Sequence, residues 1–354
     1  MNLLIIKTSA LGDIVQTFPV LQELQQTFPT ATIDWVVEKP FASLVEAHPF
    51  VHQVLTIQSK QWRKQWASSD TWQNMRHFKK QLQAKRYDYV FDLQGNSKSA
   101  AITALVKSDC KVGFGWKTVP EWPNAFFTHS KVNPPSGQTI YDDYLSLSRF
   151  ITKQEGQPIL PKISLKLTQE EEKELSVLSS KLESLNHPIL LICSGSQWIN
   201  KQMTVGALQR LLEGIHKKMP THFIFVWGNE TEQQTAQHLQ TYFKDHSFVL
   251  NKYSLPLLQN YMQKVDGVLA MDSLPLHLAA TTSTPTYSVF GASAAKKYQP
   301  LGEQHAAFQG TCPYGQIFHK RCSFLRTCST GSCIRMIDES ALLQHFLSWW
   351  AIHQ

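Results

Sequence analysis

Asp13 is the first side chain in this sequence placed to do chemistry. It comes after a short apolar run, Leu3-Leu4-Ile5-Ile6, and a small polar stretch, Lys7-Thr8-Ser9-Ala10-Leu11-Gly12. An apolar run of that length reads as a buried parallel strand. The polar stretch reads as a glycine-containing turn into a helix whose apolar face is Ile14, Val15, Phe18, Leu21 and Leu24. Open α/β sheets bind ligands at such strand–turn–helix edges. A carboxylate there does not suit an anion, which needs bare N–H groups at the helix start. It suits accepting a proton or holding sugar hydroxyls. It also suits plain helix capping, and the local pattern leaves both roles open.

The second half offers complementary chemistry. A strand at 188–193 leads into Ser194-Gly195-Ser196-Gln197-Trp198-Ile199-Asn200-Lys201. Hydroxyls, backbone amides and one cation converge there, a set that suits a diphosphate or forms an ordinary strand–helix loop. No Walker loop and no G-x-G-x-x-G fingerprint occurs at either place, which argues against the usual P-loop and dinucleotide readings. Trp227-Gly228-Asn229-Glu230-Thr231-Glu232 ends the next strand, where a carboxylate either holds ribose hydroxyls or caps a helix. Asp272-Ser273 directly follows another apolar strand, with His277 one turn into a helix. Those three side chains either face one cleft or serve as a cap and a packed histidine. Gly291-Ala292-Ser293, after the next strand, adds a further backbone site for a phosphate.

These residues need a scaffold, and the hydrophobic pattern supplies one. Strands are expected at 3–6, 32–37, 53–57, 87–92, 111–114 and 126–130, with helices at 14–27, 42–47 and 71–84. A Gln/Pro/Gly-rich linker follows at 153–163. A charged helix at 168–185 starts at Thr168, with Glu171 in the capping-box position. Strands at 188–193, 222–227, 249–250, 267–271 and 286–290 then alternate with helices at 205–219, 231–243, 255–264 and 276–281. Such alternation predicts parallel sheets covered on both faces. The expected architecture is two Rossmann-like α/β domains, 1–165 and 166–354, facing a cleft.

The chain has 354 residues, a hydrophobic fraction of 42% and 17% charged residues, a composition that supports full cores. No apolar run reaches membrane-span length, and the N-terminal run is too short and lacks a basic leader for a signal peptide. The expectation is a cytoplasmic chain. The net charge of +7 gathers at 60–66, 76–86 and 319–321. Basic residues among tryptophans suit anionic headgroups or acidic sugars, or simply a solvated helix face. No nucleic-acid motif is present, so nucleic acid is not an expected partner. Cys312, Cys322, Cys328 and Cys333 crowd one glycine-containing, basic loop, 312–333. Zinc or iron bound by thiolates, or reduced structural thiols, are the two readings for a reducing compartment. Cys110 and Cys193 read as isolated core thiols.

Lys-Thr-Ser-Ala-Leu-Gly-Asp at 7–13, Trp227-Gly228 and Asp272-Ser273…His277-Leu278-Ala279-Ala280 together resemble glycosyltransferase family 9, which includes the bacterial lipopolysaccharide heptosyltransferases. The first hundred residues are most similar to its heptosyltransferase I branch, through Asp34-Trp35-Val36-Val37-Glu38, Trp62-Arg63-Lys64, Tyr87-Asp88 and Asp92-Leu93-Gln94-Gly95. The resemblance implies a two-domain glycosyltransferase B fold. It also implies inverting transfer of heptose from ADP-heptose to a Kdo–lipid A or heptose acceptor at the inner membrane surface, with no cofactor required for catalysis. Asp13 would be the general base. Ser194, Ser196, Lys201, Glu232, Asp272, Ser273 and His277 would hold the donor, and Ser9, Gly12, Arg63 and Lys64 the acceptor. A cysteine-rich segment occurs in some family members, including the branch acting on autotransporter proteins. Leu274 stands where many members have glycine, and Val119-Pro120 where an arginine would help bind the acceptor. Another nucleotide sugar, a protein acceptor, a non-catalytic nucleotide-sugar or metal-binding module, and an epimerase of the same shape remain alternatives.

Overall fold

Twelve short strands, most of them largely apolar, carry the architecture described by the computed structural model for residues 1–160 and 162–353. Six of them lie in the first unit, Met1–Pro161: β1 (Asn2–Ile6), β2 (Thr32–Glu38), β3 (Val51–Ile57), β4 (Tyr89–Asp92), β5 (Cys110–Phe114) and β6 (Ser130–Val132). All pairings are parallel, in the order β3-β2-β1-β4-β5-β6. Leu3, Leu4, Ile5 and Ile6 are fully buried because helices cover both faces of a parallel sheet. Leu4 and Ile6 pack with Val36, Leu55, Phe78, Leu82 and Ile102 in one cluster. The strand order reverses between β1 and β4, so the turns after those two strands flank a topological switch point.

The second unit, Lys162–Gln354, repeats the plan. Its strands are β7 (Ile189–Cys193), β8 (His222–Phe225), β9 (Ser247–Val249), β10 (Gly267–Met271), β11 (Thr286–Phe290) and β12 (His305–Gln309), in the parallel order β12-β11-β10-β7-β8-β9. Here the switch point lies between β7 and β10. A helix at Glu339–Trp350 closes this core with Leu342, Phe346, Trp349 and Trp350. Trp350 lies so close over the start of β10 that a Cβ at Gly267 would sit 2.3 Å from its ring.

The structure corrects several sequence expectations. The helix expected at 14–27 is two helices, Leu11–Val15 and Phe18–Thr27. Pro19 lies in the first turn of the second one, having no N–H to continue the first and a ring that would collide with the preceding turn. In place of a strand at 126–130, a 3₁₀ turn at Trp122–Phe126 with Pro123 in its first turn precedes β6. The basic stretch at 60–64 belongs to a helix, Ser59–Lys64. The helix expected from Thr168 spans Gln169–Glu183, and its capping box is complete: Glu171 N–H donates to Thr168 Oγ1 at 3.2 Å and Thr168 N–H to Glu171 Oε2 at 2.9 Å. Residues 153–160 of the expected linker carry no strand beyond the helix end at Thr152, and position 161 lies outside the described residues. No helix among the described residues is long and apolar enough to cross a membrane.

Candidate active site

In the first unit the turn after β1 is held from both sides. Trp35 Nε1 donates to the Lys7 carbonyl at 2.9 Å, and Glu38 N–H to the Thr8 carbonyl at 3.1 Å, tying the turn to β2. From the β4 side, Gln94 Oε1 accepts from Thr8 N–H (3.0 Å), Thr8 Oγ1 (3.2 Å) and Ser9 N–H (3.1 Å). Lys7 is buried; its Nζ donates to Tyr144 Oη at 2.9 Å and to the Leu93 carbonyl at 3.3 Å. The loop after β4 is fixed in turn by Asp92. One oxygen accepts from Gln94 and Gly95 N–H (3.0 and 2.9 Å), and the other from Thr103 Oγ1 (2.9 Å) and Asn124 Nδ2 (2.6 Å). Gly95 has φ +71 and meets Pro120, whose Cδ would lie 2.6 Å from an added Cβ. The Val119-Pro120 step therefore packs against this edge.

Asp13 stands on that edge, half-buried, at the third position of its short helix. Its Oδ2 accepts from Ala10 N–H at 3.3 Å, so the capping role is present in part. Ser9 and Gly12, also half-buried, lie in the same turn. Arg63 and Lys64 end the helix Ser59–Lys64 and are exposed. That helix starts at the same edge of the sheet. Glu38, the last residue of β2, accepts from Ser59 N–H at 3.1 Å and from Ser59 Oγ, and pairs with Lys98 at 2.8 Å. The sequence drew attention to the segment Asp92-Leu93-Gln94-Gly95 but gave Gln94 no part in shaping this turn.

In the second unit the switch point is bridged by a buried ion pair. Lys201 ends a 3₁₀ turn after β7 and Asp272 follows β10; their Nζ and Oδ2 are 2.5 Å apart. Ser293 Oγ donates to the same carboxylate oxygen, and His277 Nε2 lies 3.9 Å from the other. Burial acts to raise the Asp272 pKa, but His277 and Lys201 outweigh it and hold the carboxyl far below the usual carboxylate range. Asp272 is thus a fixed anion. Lys201 gives it one of three N–H donors. Asp272 therefore orients Lys201 and is itself held by Ser293 and His277. Ser273 takes the N-cap position of the helix Leu274–Ala279, and its hydroxyl lies 3.4 Å from the Met271 carbonyl. Ser293 enters through its side chain, where the sequence suggested only a backbone contact.

Glu232 lies near this loop. Its carboxylate accepts from Gly228 N–H and Asn229 Nδ2, both at 2.7 Å. A Cβ at Gly195 would lie 2.2 Å from the Glu232 carboxyl carbon, so only glycine lets the loop after β7 come this close. Ser194 is half-buried and Ser196 buried, its carbonyl accepting from Gln202 Nε2.

The cysteine segment is anchored beside the same site. Ser293 and Arg321 form an antiparallel bridge, with Ala294 N–H donating to the Lys320 carbonyl and Cys322 N–H to the Ala292 carbonyl, each at 2.7 Å. Of the two readings of the cysteines, the metal site finds no support: among the described residues no three His, Cys, Asp or Glu side chains converge as a metal site. Cys333 turns inward on its short helix, its thiol 3.9 Å from the Asn200 carbonyl. Burial, with the charge of Cys312, Cys328 and Cys322, pushes its pKa up to about 11. The Cys328 sulfur accepts from Gly331 N–H at 3.4 Å. That bond and Thr330 lower its pKa.

A family model described as glycosyltransferase family 9 (heptosyltransferase) matches residues 75–327. The chain belongs to glycosyltransferase family 9. Among curated proteins, this family 9 chain is 28% identical over 310 residues to lipopolysaccharide heptosyltransferase 1 of Escherichia coli K12, covering 82% of this chain and 88% of that one. It is 22% identical to the lipopolysaccharide core heptosyltransferase OpsX of Haemophilus influenzae, over 82% of this chain and 78% of that one. Among solved structures, the E. coli heptosyltransferase WaaC with ADP matches at a TM-score of 0.76 and 24% identity, covering 99% of this chain and 100% of that one. A family 9 glycosyltransferase from Veillonella parvula matches at 0.81 and 14% identity, over 99% and 97%. At those identities the structures speak for the fold, which is the glycosyltransferase B fold. That fold is shared more widely: a UDP-N-acetylglucosamine 2-epimerase from Listeria monocytogenes matches at 0.51 and 11% identity, over 98% of this chain and 87% of that one. Family membership, and not fold, makes this enzyme a glycosyltransferase.

Proposed function

We propose that this glycosyltransferase moves heptose from ADP-heptose onto the lipopolysaccharide inner core, with Kdo–lipid A or a core heptose as acceptor. The observation that carries the reading is the division of chemistry between two switch points: a carboxylate, Asp13, at one, and a buried cation, Lys201, at the other. The similarity to a lipopolysaccharide heptosyltransferase over most of both chains supports the choice of sugar and acceptor.

An acceptor hydroxyl is a weak nucleophile until a base takes its proton in the transition state. Asp13 takes that proton. The oxygen then attacks the anomeric carbon from the face opposite the diphosphate, the bond to the diphosphate breaks, and configuration inverts. Negative charge grows on the departing ADP. The Lys201 donors not spent on Asp272 meet that charge, together with the N–H and hydroxyl groups of Ser194 and Ser196. Glu232, held by Gly228 and Asn229, takes the ribose hydroxyls. Arg63 and Lys64 take the acidic groups of the acceptor.

Purified enzyme is assayed for ADP release from ADP-heptose with and without Kdo–lipid A. Asp13→Asn is expected to lower acceptor-dependent turnover by roughly 10²–10⁴-fold while ADP affinity stays at the wild-type value. Turnover within about threefold of wild type would remove Asp13 from the base role. A thermal-shift panel of ADP-, GDP- and UDP-sugars tests the donor, since a ligand that binds only the folded state raises its stability. Preference for a UDP- or GDP-sugar would overturn the heptose assignment.

A further inference from the structure

The net charge of this protein is not spread over its surface. Residues 59–86 contain eight Lys or Arg and one carboxylate, Asp70, a net +7 that equals the formal net charge of all 354 residues. Lys85 and Arg86 are paired, with Asp34 and Asp109. Lys60, Arg63, Lys64, Arg76, Lys79 and Lys80 are exposed, with no ion-pair partner among the described residues.

The helix Ser69–Leu82 organises half of these cations. It is anchored through Thr71, Phe78 and Leu82, which are buried and recur at helical spacing. Trp72, Met75, Arg76 and Lys79 sit at i, i+3, i+4 and i+7 and therefore form one outward stripe, with Lys80 beside it. Trp72 is 50% exposed and Met75 38%, and Trp66, in the turn before the helix, is 70% exposed. Large apolar side chains held in water among unpaired cations are a costly surface for a molecule that stays in solution. They match an anionic bilayer surface, where indole and thioether enter the headgroup boundary and the cations meet lipid phosphates.

We propose that the outer stripe of the helix Ser69–Leu82 is a docking surface for an anionic phospholipid bilayer. The surface uses none of the acceptor groups assigned above, although it adjoins their helix through Trp62 and Phe78, whose rings are 6.0 Å apart, and the proposal does not depend on which sugar is transferred. Trp72 and Met75 supply insertion, while Arg76, Lys79 and Lys80 supply attraction.

The test uses the full chain and vesicles without any glycolipid, made of phosphatidylcholine alone or with phosphatidylglycerol, read by co-sedimentation. Wild type is expected to partition onto the anionic vesicles and not the neutral ones, less so at high salt. Arg76→Gln with Lys79→Gln should weaken partitioning by about 25-fold, at roughly fivefold per cation lost. Trp72→Ala with Met75→Ser should weaken it by about tenfold. Unchanged melting temperatures, expected at exposed positions, and unchanged turnover on a delipidated, water-soluble acceptor confirm that the variants are intact. Equal partitioning of wild type and both variants, or no partitioning of wild type, overturns the proposal. So does variant-sensitive binding to homopolymeric RNA in place of vesicles. Because the vesicles carry no substrate, a failed heptosyltransferase assay leaves this result standing, and the reverse also holds.

Discussion

Asp272→Leu tests the core of the second site most directly. The substitution removes the anion that Lys201 touches at 2.5 Å and leaves the ammonium of that residue, which is only 8% exposed, without a countercharge. Breaking a buried pair from one side costs about 3–5 kcal/mol, because the remaining charge has lost both water and partner. For a unit of this size each kcal/mol shifts the midpoint by roughly 2–4 °C, so the variant should melt roughly 6–20 °C lower. Lys201→Met combined with Asp272→Leu removes both charges and should be neutral or stabilising by about 1–4 kcal/mol. The double-mutant cycle in urea, followed by circular dichroism, should then give a coupling of roughly 3 kcal/mol or more. ADP binding by calorimetry should fail in the double mutant, which restores the fold and not the cation. The argument is refuted if the double mutant loses the sum of the two single losses, or if it binds ADP like wild type. The pH dependence has a fixed sign. The folded-state pKa of Asp272 is depressed, so its stabilisation is complete above the unfolded value near 3.9, and it is lost only as pH falls through that value towards the lower folded one.

Four further outcomes rest on geometry. Gly195→Ala would place a methyl group 2.2 Å from the Glu232 carboxyl carbon; displacing Glu232 from Gly228 N–H should weaken ADP binding by about tenfold or more in calorimetry, a charged hydrogen bond being worth about 1.5–3 kcal/mol. Gln94→Leu strips the acceptor from Thr8 N–H, Thr8 Oγ1 and Ser9 N–H; unfolding free energy should drop by about 1–3 kcal/mol and turnover should drop with it, checked by urea denaturation and the ADP-release assay. Iodoacetamide followed by peptide mass mapping should label Cys328, whose pKa is lowered, before Cys333, whose pKa is pushed up to about 11. His305 is buried, and desolvation, then His353 and Lys162, lower its pKa to about 4; stability should therefore decline as pH drops from about 6.5 towards 4, and His305→Gln should flatten that part of the profile.

The strand–turn–helix rhythm was readable because buried parallel strands are short unbroken apolar runs. Residues 267–271 and 286–290 were placed to the residue as β10 and β11. Thr168 and Glu171 announced their helix because a capping box is a local contact between residues three apart. The break at Thr17 was missed because Ile14, Val15, Phe18 and Leu21 keep helical spacing across it. β12 was missed because only His305 is buried in it and its other positions are partly exposed. At the sites, residue type was legible and partnership was not. Lys201 read as a phosphate cation, but its tie to Asp272, 71 residues away, depends on β7 and β10 being neighbours. Gln94 is likewise recruited across 86 residues. The cysteines crowd together in sequence, yet thiol direction is set by the short helix at Ser332–Arg335, which turns Cys333 away from solvent.

The packing of Trp350 over Gly267 also sets a timetable. The first unit has all its strands and covering helices by residue 161, whereas the sheet of the second cannot bury β10 until the helix Glu339–Trp350 has been made. At about 5–20 residues per second, synthesis of the intervening ~190 residues takes roughly 10–40 s. Through that interval the ribosome carries a finished first unit and a second unit whose central strands lack their lid. During synthesis, Leu190, Leu269 and Tyr287, which this helix helps to bury, are the surfaces most open to a chaperone. A nascent chain stalled before residue 339 would be a substrate for one.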